Sequence, residues 1–116
     1  MELNPAIAAR TLIENSQKLD KIADAVIAQR NEMLGCEVIY LNKKASVSRK
    51  FLSEMSATAA QHWIGIETTE EKIELLKAEA ELKNIQDSRE VLIESNNNLK
   101  MAIKLWDTEV KNLNLN

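Results

Sequence analysis

The chain has 116 residues, 45% of them hydrophobic, with a formal net charge of −3, which bounds it to a single domain of ordinary globular apolarity and excludes any whole-chain attraction to nucleic acid or acidic lipid. Two glycines, one proline and an aromatic content of 3% predict helix with few breaks and a core built from aliphatic side chains. A lone cysteine, Cys36, excludes an internal disulfide, and the first ten residues, MELNPAIAAR, lack the basic-then-apolar pattern of a signal segment, so a reducing cytoplasm is the expected compartment.

The first helix has a clear start. Asn4 is a good N-cap, and Pro5 suits the first helical position, where a missing N–H costs nothing. Leu12, Leu19, Ile22, Val26 and Met33 form one apolar stripe, and Ile13, Ala23, Ile27 and Leu34 widen it on the adjacent side. So broad a face calls for two neighbours.

Gly35 introduces the one ambiguous stretch, Cys36 to Leu41, where β-branched and aromatic residues are compatible with a short strand. Helix is the better reading. Leu34, Val38, Leu41, Ala45, Ser48, Leu52, Met55, Ala59 and His62 step by four and three straight through it, forming a second seam with a kink at Gly35. A turn is expected at Trp63 to Thr68: Gly65 suits a helix terminus, and Thr68 with Glu71 makes a Thr-x-x-Glu capping box.

The strongest pattern lies beyond that turn. Leu75, Ala78, Leu82, Ile85, Arg89, Leu92, Asn96, Leu99, Ile103, Trp106, Val110 and Leu113 hold one heptad register, the period at which a helix packs along another helix. A continuous helix from Thr69 to Leu113 would be about 66 Å long, far beyond the roughly 13 Å radius of gyration of a compact domain of this size. Ser95 to Asn98 is the place where it would break, but the register runs through Asn96 without a shift. Arg89 and Asn96 occupy seam positions where a polar residue lowers stability and specifies register, unless the helices splay there and release both to solvent.

Charge distribution selects the pairing. Residues 67–113 carry 11 acids against 7 bases, and Glu74, Glu79 and Glu81 disfavour a parallel self-zipper of this helix. Folding back at Gly65 would lay the stretch Glu70 to Glu81 beside Arg49 and Lys50. The expected fold is therefore all-α: an elongated antiparallel helical hairpin or coiled coil, a single helical domain that dimerises into a helical bundle because one hairpin leaves Ile73, Leu76, Ile93 and Met101 uncovered.

Chemistry-bearing motifs are sparse. His62 is the only histidine and has no second histidine or paired cysteine to complete a metal site, Cys36 has no dyad partner nearby, and no glycine-rich phosphate loop or Glu-x-x-His pair occurs. No catalytic residue, cofactor or small-molecule substrate is expected. The expected function is a non-enzymatic protein–protein interaction module, an adaptor, scaffold, chaperone-like or inhibitory protein, whose partners are a second copy of itself and another protein. Lys43, Lys44, Arg49 and Lys50 form the one basic patch, the basis of a further reading as a helical nucleic-acid accessory protein. No apolar run approaches the roughly 20 residues of a membrane-spanning helix.

Trp63-Ile64-Gly65 stands near mid-chain between two helical segments, and in this the chain resembles the Trp-x-Gly family of small secreted helical hairpins. The resemblance covers three residues and an architecture. It implies that Trp63 and Gly65 shape the turn and that the protein is a secreted dimer. Trp106-Asp107-Thr108-Glu109-Val110 is not a clear version of the family's C-terminal Tyr-centred secretion motif.

Overall fold

A computed structural model describes residues Asn4 to Leu115 and shows an all-α helical hairpin. Helix α1 spans Pro5–Glu54, α2 spans Ala57–Glu67 and α3 spans Thr69–Leu115. At the start of α1 the side chain of Asn4 accepts from the backbone N–H groups of Ala6 and Ile7 at 3.0 and 3.3 Å. This gives an acceptor to two of the N–H donors that a helix start leaves without an intrahelical partner.

α1 then continues for 50 residues with no interruption at Gly35, and Cys36 to Leu41 are helical. The helix is therefore not ended at Gly35, and the stretch is helix and not strand. Gly35 has no positive φ, and a Cβ placed there would meet nothing within 4 Å.

The turn also moves. Trp63 to Gly65 lie inside α2, with Gly65 in ordinary helical backbone, so they do not form the expected connection. The helix ends at Glu54, and Ser56 takes an extended conformation (φ −63°, ψ 155°) with its hydroxyl accepting from Ala59 N–H at 3.3 Å. Beyond it α2 comes back along α1, setting the Phe51 and Trp63 rings 6.5 Å apart. Thr68 is only a bend in the returning arm, because helical bonds run into it (Thr68 N–H to Ile64 O) and out of it (Lys72 N–H to Thr68 O). Its hydroxyl donates back to Ile64 O at 2.7 Å, a bond that replaces the expected capping box with Glu71. One polar residue that can cap a helix was exchanged for another nearer the first arm's end.

The chain divides into two compact units. One joins α1 up to Ala25 with α3 from Ile85 onward, and the other is Val26–Asn84. In each, α1 pairs antiparallel with the returning arm. The first is registered by Asn15 against Asn96, and the second by Gln29 against the Ala78 carbonyl and by Lys72 over the Tyr40 ring at 5.0 Å.

The core is thin. Ala8, Ala60, Ile64, Leu75, Ala78 and Leu82 are the buried hydrophobics, and among the described residues no large side chain is fully buried. Two helices side by side cover only one stripe of each other, so most inward residues stay half-buried: Leu12, Leu19, Ile22, Val26 and Met33 on α1, and Ile85, Leu92, Leu99 and Ile103 on α3.

Candidate interaction surfaces and the polar pair beneath them

The long stripe of α3 faces α1 along most of its length. Leu75, Ala78, Leu82 and Asn96 are buried, while Ile85, Leu92, Leu99, Ile103 and Val110 are half-buried. Arg89 reaches solvent. Trp106 is 37% exposed and Leu113 more so. The register set by Asn15 and Asn96 places Trp106 opposite Pro5, where α1 begins. Past that point the stripe has no α1 residue facing it among the described residues.

Asn96 is the seam's one polar residue that is both buried and paired. Asn15 Nδ2 donates to Asn96 Oδ1 at 2.9 Å, with the two residues 6% and 7% exposed. A buried amide left without a partner costs about 1–3 kcal/mol, so each makes the other tolerable at that level of the hairpin and penalises any slip. Asn15 is not visible in the apolar pattern alone. The stripe Leu12, Leu19, Ile22, Val26, Met33 has two gaps at heptad spacing, and Asn15 and Gln29 fill them. Gln29 likewise reaches across, donating to Ala78 O at 3.0 Å.

The second seam of α1 points the other way from the expected direction. Leu34, Val38 and Leu41 are 53%, 56% and 51% exposed, Leu52, Ala45, Ala59 and His62 are exposed as well, and Ser48 and Met55 are half-buried. The inward residues are instead Met33, Cys36, Tyr40, Val47 and Phe51. The reason is the unbroken helix at Gly35: α1 keeps the phase begun at Leu12, and Leu34 follows Met33 by one residue, about 100° round the axis.

The earlier turn also removes the expected charge pairing. With Phe51 beside Trp63, Arg49 and Lys50 lie opposite α2, and the acidic stretch Glu70 to Glu81 lies opposite the region of Gln29 to Tyr40. Among the described residues the ion pairs are Lys77–Glu74 and Lys111–Asp107, both within α3 and exposed, hence worth little. Lys43, Lys44, Arg49 and Lys50 are exposed. Lys44 rests over the Tyr40 ring at 5.8 Å and Lys50 over Phe51 at 5.6 Å. His62 stands edge-on to Trp63 at 6.1 Å, and Cys36 is a half-buried free thiol. Among the described residues no group of three or more His, Cys, Asp or Glu is placed to hold a metal ion, and no helix is long and apolar enough to cross a membrane.

No known protein family, curated protein sequence or solved structure matches this chain. What distinguishes its surface is a row of large aliphatic side chains on the outer side of α1, with Ile66, Ile73, Leu76, Val91, Met101 and Leu105 exposed on the returning arm.

Proposed function

We propose that this protein is a non-enzymatic interaction module that binds other protein helices through coiled-coil packing on its outer faces, in a reducing cytoplasm. One observation carries the reading: Ile27, Leu34, Val38, Leu41 and Leu52 are more than half exposed yet spaced at steps of seven, four, three and eleven, all sums of the alternating threes and fours that a packed helix requires. Isolated apolar residues on a surface are ordinary, but a contiguous row at one helical period marks a place where another protein binds. A single cysteine, kept as a free thiol, suits a reducing compartment.

The test is photocrosslinking in the native cell, with a photoreactive residue in place of Leu41 and, as the control, in place of the exposed Glu79. Protein adducts from position 41 and none from 79 support the reading. Equal yields from both positions, or none from 41, overturn it.

A further inference from the structure

We propose that the outer stripe of α1 is covered by a second copy of this chain, lying antiparallel with Val38 packed against the partner's Leu41. The inference rests on the interaction-module reading and commits it to one partner. Asn31, Val38, Ala45 and Leu52 fall at one core position of the heptad, and Ile27, Leu34, Leu41 and Ser48 at the other. All but the half-buried Ser48 are exposed, and all belong to the compact unit Val26–Asn84.

The register follows from matching. With Val38 on the partner's Leu41, the next layers outward set Leu34 on the partner's Ala45, Asn31 on the partner's Ser48 and Ile27 on the partner's Leu52, each occurring twice by symmetry. Apolar residues meet apolar ones, and the two polar core residues meet each other, which supplies buried amide and hydroxyl groups with mutual partners. Flanking the seam, Glu37 then faces the partner's Lys44, again twice, opposite charges at the position that sets orientation.

The alternatives fail on the same residues. A shift of one heptad in one direction sets Lys44 against the partner's Lys44 and Asn31 against the partner's Met55. A shift in the other sets Glu37 against the partner's Glu37 and Leu41 against the partner's Asn31. A parallel pairing places Lys44 beside the partner's Arg49 on both sides of the seam. Gly35 also falls on this seam's flank. It lies exposed in mid-helix with open space where a Cβ would go, so nothing within the single chain accounts for it, whereas a second backbone approaching there would.

The test uses the full chain with Cys36→Ser, oxidised by oxidised glutathione, as co-expressed Leu34→Cys and Ala45→Cys chains. The antiparallel register expects a disulfide between the two variants and none from Leu34→Cys alone, whose two copies would be about 16 Å apart along the axis. In parallel, light scattering and sedimentation equilibrium read the dimer. Lys44→Glu is expected to weaken it about tenfold, and Glu37→Lys with Lys44→Glu to restore it. Self-crosslinking of Leu34→Cys alone, or tighter dimerisation by Lys44→Glu, would mean a parallel seam and overturn the proposal. So would a monomer with unchanged helicity at all concentrations. Should that monomer still give an adduct to a different protein from position 41, the interaction-module reading stands and only self-pairing falls.

Discussion

Asn15 and Asn96 show how a polar residue can be costly and useful at one position. The pair is nearly fully buried and joined by a single 2.9 Å bond, so Asn96→Leu leaves the Asn15 amide without its partner. A loss of about 1–3 kcal/mol is expected in chemical denaturation. Replacing both by Leu removes the orphan as well as the bond, and that double variant is expected to regain the lost stability or exceed it. A double variant as unstable as the single one would show that shape, not pairing, governs the site. Gly35 lends itself to the opposite manipulation. Its backbone is ordinary helix with room for a methyl group within the single chain, and Gly35→Ala is expected to stabilise the monomer's helix by about 1 kcal/mol while weakening self-pairing, read as a higher denaturation midpoint at dilutions where the chain is monomeric.

At the scale of elements, the long helices were legible because heptad periodicity over so many residues leaves few alternatives, and Asn4 with Pro5 marked the first start correctly. Helix boundaries inside the chain were not. Gly65 and the Thr68-x-x-Glu71 pattern resemble a terminator and a cap, yet Ser56 performs the capping and Gly65 stays helical. Each signal is worth about 1 kcal/mol, whereas the burial of Ala60, Ile64, Thr68, Leu75 and Leu82 on one continuous inward face outweighs any of them. Ser56→Ala is accordingly expected to destabilise the protein by about 1 kcal/mol without altering its helix content, measured by thermal unfolding and circular dichroism. A larger loss of helix would indicate that the return of α2 depends on the cap itself.

For the molecule as a whole, the deciding quantity is how much apolar surface one chain can cover. A hairpin gives each helix one neighbour, and the result here is a row of half-buried inward residues and an outer row from Ile27 to Leu52 left to solvent. Pairing through that outer row would add a second neighbour without requiring any change in the hairpin.

Because periodicity and composition are local properties, the helical character of the chain, the packing of its arms along their length and the anomaly of a polar Asn96 on the stripe can all be read from the residues alone. Which of α1's two stripes faces α3, where the chain turns back and which residue answers Asn96 were decided only by tertiary structure. Both stripes carry the same period and nearly the same apolarity, so the choice rests on helix phase through Gly35 and on the mate that the turn at Met55–Ser56 brings opposite.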